Sequence, residues 1–230
     1  MADELFKVPL FPLNVVLFPG MALPLHIFEP RYRDMTADCL ADQAPFGVVL
    51  ALADEDSESV VPARVGTLAR IADYERLPDG RYNMLALGTS RFEVIGYQGE
   101  IVDADEPNDK AYLVGIVRPL RDCEDSTSDL DALVEEARSA LDDYLHVMFT
   151  LVGSEDRKLE VPREAGELSY LIGMCLMCED CEKQRLLETT SLPLRLRTGV
   201  RLLRAEVEEL GLQVEHGTLP RLDADRSHLN

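Results

Sequence analysis

The first part of the chain is an apolar segment that prolines interrupt at short intervals, namely at Pro9, Pro12, Pro19, Pro24 and Pro30. Because proline has no backbone N–H to donate to a neighbouring strand, it is confined to sheet edges, bends and turns. The segment therefore predicts short strands over residues 6–11, 14–18 and 23–28. These strands should be bent or lie at an edge, which excludes one flat, continuous sheet.

The β pattern continues to about residue 120. Further strands are predicted over residues 46–53, 65–74, 82–88, 92–97 and 112–120. Pro78-Asp79-Gly80 is a strong turn signal between two of them. One short helix is predicted after Pro30, and two acidic stretches, 54–58 and 103–109, are predicted to be surface loops. Many short strands with one inserted helix indicate a small, irregular barrel.

The second half of the chain has a helical period. Helices are predicted from about residue 130, over 164–176, over 182–188 and from Ser191 to Gly211, and glycine is suited to a C-terminal cap. Ser126 and Ser128 are the candidate N-caps of the first of them. The sequence thus predicts an α+β protein with a β-rich domain at 1–120, a helical domain at 121–215 and a polar tail at 216–230.

Charge limits the possible partners. The chain has 43 Asp and Glu residues against 23 Lys and Arg, a formal net charge of −20. Since nucleic-acid binding depends on cations that displace phosphate counterions, this balance disfavours nucleic acid, and it disfavours anionic membranes for the same reason. No apolar run approaches the roughly 20 residues that cross a bilayer. We therefore expect a cytoplasmic protein, as a monomer or weak dimer.

Two consecutive segments carry a family resemblance. Residues 9–20 read PLFPLNVVLFPG and residues 23–32 read LPLHIFEPRY. Together they resemble the opening of the Lon protease N-terminal domain, most closely in bacterial proteins that consist of this domain alone. Later features follow in the same order, including FGVV at 46–49, the turn at 77–81 and EKQ at 182–184. The resemblance covers about residues 6–211.

The resemblance implies a PUA-like pseudo-β-barrel followed by a helical bundle that ends in a long helix. In full-length Lon proteases this region helps to capture substrate and to assemble the ring. The sequence contains no GxxxxGK[ST] phosphate loop. A Ser-Lys peptidase domain is not expected within the chain either. The resemblance therefore implies a non-enzymatic recognition module without a cofactor.

Proline-interrupted strands also suggest a binding mode. They can leave unpaired backbone groups beside apolar side chains, which is what the addition of an extended peptide as an extra strand requires. The candidate lining residues are Phe11, Phe18, Ile27, Phe28 and Tyr32. The expected partner is a peptide or an unfolded protein, with a chaperone or protease as a further possibility, in an adaptor role in protein quality control. The alternative for each residue is that it belongs to the core.

A cysteine cluster supports a different function. Cys175, Cys178 and Cys181 have C-x-x-C-x-x-C spacing, which places three soft ligands close in sequence. The alternative hypothesis is therefore a metal-binding or small-ligand protein that uses these thiols. Against it, buried cysteines on an amphipathic helix often act only as small apolar residues.

The last helix is locally basic, because it contains Arg195, Arg197, Arg201 and Arg204. This pattern fits either a solvated face or a docking surface for an acidic partner.

Overall fold

The computed structural model describes residues 4–53, 60–98, 109–123, 129–153 and 159–215. The chain consists of two compact units. The β-rich unit comprises Met1–Asp122 and Asp180–Thr190, and the helical unit comprises Cys123–Glu179 and Ser191–Asn230. The predicted domain boundaries stay a prediction. They lack one feature of this division, namely that the segment 180–190 belongs to the β-rich unit.

In its described residues, the β-rich unit contains six strands and two helices, in the order β1 (Phe6–Leu13), β2 (Ala22–Ile27), α1 (Pro30–Asp42), β3 (Phe46–Ala53), β4 (Val60–Arg76), β5 (Tyr82–Tyr97), β6 (Val114–Pro119) and α4 (Asp180–Glu188). The sheet order is β2-β5-β4-β3-β1-β6, and β5 also pairs with β6. That last pairing closes five of the strands into a ring. The α+β class is confirmed, and the PUA-like detail stays a prediction.

β1 is buried on both faces. Leu10 belongs to a core cluster with Val49, Phe92 and Val117, whereas its neighbour Phe11 belongs to a second cluster with residues of α1. Since successive side chains of a strand point to opposite faces, β1 separates two apolar layers. The strand pairs with β3 on one side and β6 on the other. It is therefore an inner strand despite Pro9 and Pro12, so of the two predicted alternatives, a bent strand or an edge strand, the edge position does not apply to this segment.

Two local expectations changed, and others are not tested. Residues 14–18 form no strand, although Phe18 is buried. The last helix runs through Gly211 to Glu215, and Gly211 does not adopt a positive φ. A glycine cap signal was therefore wrong there, since the helix continues through that residue. The predicted caps Ser126 and Ser128, most of the two acidic loops and the tail lie outside the described residues.

The hairpin turn forms as predicted. Arg76 pairs with Tyr82 across it. Gly80 has a φ of 84°, which favours glycine. The backbone N–H of Arg81 donates to Asp79 Oδ1 at 3.1 Å. The turn thus fixes the register of β4 and β5, the two longest strands.

The helical unit consists of α2 (Leu130–Leu151), α3 (Ala165–Cys175) and α5 (Leu192–Glu215). Its core is formed by buried residues from all three helices, including Leu141, Leu168, Ile172, Leu196 and Leu203. Glu206 on α5 accepts the backbone N–H of Met177 at 3.1 Å, just beyond the end of α3. The buried hydroxyl of Tyr144 on α2 donates to the carbonyl of Cys175 at 3.1 Å. These bonds tie the end of α3 to both long helices.

Candidate peptide-binding surface

β2 has a strand partner on one side only. It pairs with β5 in antiparallel register from Ala22–Leu87 to Ile27–Tyr82, and no described strand borders its other side. In an antiparallel strand, alternate residues direct their backbone N–H and C=O groups away from the partner. β2 therefore presents an edge with backbone groups that an extended chain can pair with.

The side chains of β2 alternate between the two faces. Ile27 is buried and Leu25 is half-buried, whereas Pro24 and His26 are exposed. The alternation arises because the apolar residues of the strand pack on the core cluster of α1 and β5. His26 therefore belongs to the outer face of the sheet, where it meets side chains from β5.

Phe28 follows β2 directly, and 61% of its surface is exposed. Its ring stacks on His26, with ring centroids 6.3 Å apart and an angle of 25° between the planes. Full burial of a phenylalanine side chain stabilises it by on the order of 1.5–3 kcal/mol relative to full exposure. At this exposure, Phe28 lacks more than half of that stabilisation. The position is therefore one where a partner's apolar side chain gains stabilisation.

Two further exposed apolar residues lie near this strand. Leu85 on β5 is opposite Pro24 and is 40% exposed, and Tyr74 on β4 is 52% exposed. Both border a shallow cavity of about 530 Å³ that residues of β2, β4 and β5 line. We define the sheet-face patch as His26, Phe28, Asn83 and Leu85, whereas Tyr74 shares the opposite face of the sheet with Met84 and Tyr82.

A chain of hydrogen bonds orients the polar part of this patch. His26 Nδ1 and Asn83 Oδ1 are 2.7 Å apart, and Asn83 Nδ2 lies 3.5 Å from Glu75 Oε2. The other ring nitrogen of His26 lies 3.2 Å from the Arg81 guanidinium. Arg81 in turn donates to Asp79 at 2.7 Å. The backbone N–H of Arg81 and then its guanidinium lower the pKa of Asp79, so this carboxylate stays charged beside Arg81.

The structure separates the five predicted binding residues. Phe11, Phe18, Ile27 and Tyr32 have at most 7% of their surface exposed. Phe11 and Tyr32 contact each other, with ring centroids 4.2 Å apart. These four side chains belong to the core and do not line a surface groove. The predicted peptide-binding set therefore narrows to Phe28, whose role stays a prediction.

Sequence reasoning did not identify the residues of β5 in the patch. Leu85 occupies the outward phase of a strand in which Tyr82, Met84 and Ala86 are buried. An apolar residue on the outward phase of a strand is a recognisable signal. Asn83 carried no comparable signal, because only the pairing of β2 with β5 brings it beside His26.

The three cysteines of the cluster have different surroundings, because Cys175 and Cys178 are partly buried whereas Cys181 is exposed. Across the described parts of the chain, no group of three or more His, Cys, Asp or Glu residues is arranged to hold a metal ion. Burial raises the pKa of the Cys175 thiol to about 11, which disfavours the thiolate that a metal ligand requires. The alternative hypothesis is not favoured.

None of the described helices is both long enough and apolar enough to span a membrane.

Comparison with solved structures shows the fold. A Lon N-terminal domain protein from Xanthomonas campestris is 26% identical, with a TM-score of 0.57 over 84% of this chain and 95% of that chain. The N-terminal domain of the Mycobacterium avium complex Lon protease is 18% identical, with a TM-score of 0.63 over 86% of this chain and 98% of that chain.

Curated relatives are full Lon proteases. The Lon protease of Rhizobium meliloti is 25% identical over 93% of this chain and 26% of its own length. The Lon protease of Xanthomonas oryzae is 30% identical over 89% of this chain and 24% of its own length. The chain thus spans about a quarter of these relatives. The family model of the ATP-dependent protease La (LON) substrate-binding domain matches residues 7–205, and the chain belongs to that family.

Proposed function

We propose that this chain binds extended segments of unfolded proteins at the open edge of β2 and the sheet-face patch. The observation that carries the proposal is the exposed Phe28, which stands at the end of a strand that lacks a neighbour on one side among the described residues. The match to a substrate-binding family supports the same class of ligand. The ligand pairs its backbone with β2 as an added strand.

Strand addition and side-chain contact contribute differently. Hydrogen bonds between backbones do not depend on the ligand's sequence, so they provide broad affinity. Contact with Phe28 and Leu85 favours segments with apolar residues at alternate positions. Folded proteins bury such segments and seldom offer a free extended backbone. The surface therefore distinguishes unfolded from folded chains.

The proposed role is recognition without chemistry. The matched family model is that of a substrate-binding domain. The sheet-face patch contains one histidine, which is engaged by Asn83 and Arg81, and it offers no nucleophile paired with a base. We propose that the protein acts in the cytoplasm as an adaptor in protein quality control, and that a chaperone or protease receives the bound chain.

The test is binding of a permanently unfolded protein, such as reduced and carboxamidomethylated ribonuclease, measured by fluorescence anisotropy at physiological salt. Phe28→Ser removes the most exposed aromatic side chain of the patch. We expect the affinity to fall by about 5- to 30-fold, which corresponds to about 1–2 kcal/mol for the loss of a contact of this size. The folded ribonuclease should not bind to either protein.

The matched control is Leu194→Ser, which removes an exposed apolar side chain that is 53% accessible in the helical unit. Its affinity should equal that of the unchanged protein. A second probe pair, an apolar peptide and the same peptide with alternate backbone amides methylated, tests strand addition. Equal loss in both variants, or equal binding of both peptides, would contradict the proposal.

A further inference from the structure

A second surface lies in the helical unit, between α2 and α5. Arg197, Arg201 and Arg204 are exposed and succeed one another at helical spacing along α5. They border a cavity of about 430 Å³. Leu133 of α2 and Val200 of α5, both buried, also line it. We call this surface the arginine groove, defined by these five residues.

The arginines of this groove are paired unequally. Arg204 forms an ion pair of 2.9 Å with Glu136 on α2. Within the described parts of the chain, Arg197 and Arg201 have no hydrogen-bond or ion-pair partner. Some exposed arginines elsewhere do have such partners, for example Arg118 with Glu93 and Arg185 with Glu182. Two guanidinium groups one turn apart are thus open to a ligand in a protein with 43 acidic residues.

The chemistry of the groove defines what fits it. A guanidinium presents a planar fork of donors that matches a carboxylate. Residues four apart lie on the same face of a helix, so carboxylates one helical turn apart can each meet one arginine. The buried Leu133 and Val200 provide an apolar floor between them. An amphipathic helix with acidic residues one turn apart beside an apolar residue satisfies all three features.

We propose that the arginine groove docks an acidic amphipathic helix of a partner protein. The interaction is independent of peptide binding at the sheet-face patch, because its residues all belong to α2 and α5. The net charge of −20 repels acidic chains in general, and Glu136 and Glu208 also line the cavity. Glu136 is engaged by Arg204, so Arg197 and Arg201 face one further lining carboxylate, that of Glu208. Selectivity therefore arises from the local geometry of the groove, where a ligand's carboxylates meet Arg197 and Arg201.

The test uses a fluorescein-labelled helical peptide with glutamates one turn apart and leucines between them. The matched peptide has glutamine in place of each glutamate. Arg197→Glu with Arg201→Glu reverses both charges at exposed positions, where folding should be unaffected. We expect the affinity for the glutamate peptide to fall by about tenfold or more, and the binding of the unchanged protein to weaken as salt is raised.

The control variant is Arg70→Glu with Arg163→Glu, which makes the same change in net charge at two exposed arginines that do not line the groove. Loss of binding in the groove variant alone, with no binding of the glutamine peptide, supports the proposal. Equal loss in both variants, or no binding by the unchanged protein, overturns it. Self-association in sedimentation velocity that only the groove variant abolishes also overturns it, since the groove is then a contact between copies of this chain.

Discussion

Glycines have different surroundings in the two units. In the β-rich unit, a Cβ on Gly47 would lie 2.6 Å from Phe92 Cζ, and one on Gly66 would lie 2.7 Å from the same atom. In the helical unit, Gly211 has nothing within 4 Å of such a Cβ. Gly199 does approach Ile172, where α5 packs on α3. The strands form a closed sheet, and their backbones approach the side chain of Phe92 inside it. Helices, in contrast, are held apart by the side chains between them.

Among the described residues, each unit also contains one buried arginine, and the two are satisfied differently. Arg91 forms an ion pair with Asp122 and donates to the carbonyls of Leu187 and Thr189 at 2.6 and 2.9 Å. Arg195 donates to Ser169 Oγ at 2.8 Å and lies over the ring of Tyr170, 4.7 Å from its centroid. Arg91 thus joins segments that are far apart in sequence, including the end of α4. This contact explains why α4 groups with the strands.

The largest expected effect is that of Arg91→Ala. Its removal leaves Asp122 and two backbone carbonyls without their donor inside the β-rich unit. We expect the free energy of unfolding to fall by about 3–5 kcal/mol, measured by urea denaturation. The control Arg118→Ala breaks the more exposed pair with Glu93 and should cost less than about 1 kcal/mol. Similar losses from the two variants would show that Arg91 is not the main link to α4.

Buried thiols provide a comparison of how the two units unfold. Burial raises the pKa of Cys39 in the β-rich unit and that of Cys175 in the helical unit, each to about 11. At pH 8 the thiolate fraction of each is roughly 100-fold smaller than for an ordinary cysteine. We expect iodoacetamide to label both correspondingly slowly in the native protein, with the sites resolved by mass spectrometry.

The same labelling, pulsed along a denaturant series, reports the unfolding of each unit separately. If Cys39 and Cys175 become reactive at one denaturant concentration, the units unfold together, and two midpoints mean that they unfold independently. Because both thiol pKa values are higher in the folded state, the free energy of unfolding is highest below the ordinary thiol pKa of 9.0. It falls as the pH rises towards 11. Fast labelling of either thiol without denaturant would contradict its burial.

A smaller effect is expected for Gly47→Ala. The added methyl group meets Phe92 and also lies 2.9 Å from Leu10 Cδ2, so the packed ring must shift. We expect a loss of about 1–3 kcal/mol in the free energy of unfolding. The loss in the double variant with Phe92→Leu should be smaller than the sum of the two single losses, since the smaller side chain leaves room for the methyl group. Simple additivity of the two costs would count against this contact.

The smallest effect, of opposite sign, is expected for Gly211→Ala. The residue lies within α5, is exposed and does not have a positive φ. Alanine favours the helix over glycine by up to about 1 kcal/mol, and no neighbouring atom obstructs the methyl group. We therefore expect a gain of a few tenths to about 1 kcal/mol in the helical unit. A loss of stability would mean that this end of α5 packs against other atoms.

Local patterns in the sequence were sufficient for the elements themselves. The turn at Pro78-Asp79-Gly80, the helix after Pro30 and the helical period of the second half each rest on interactions within a few residues. The resemblance of residues 9–32 to the Lon N-terminal domain likewise depends on the order of residue types alone, and the family match confirms it. Such signals are readable because they need no knowledge of distant partners.

The surfaces depended on the tertiary structure. Periodicity indicates that Phe11, Phe18, Ile27, Phe28 and Tyr32 are apolar, but only packing decides that four are buried and that Phe28 is exposed. His26 and Asn83 meet because β5 pairs with β2. Likewise, Leu133 lies beside Arg201 because α2 packs on α5. The sequence by itself determined which residues are apolar, charged or turn-forming, and pairing between distant segments decided which of them are left for a partner to contact, because burial is a property of the neighbours and not of the residue.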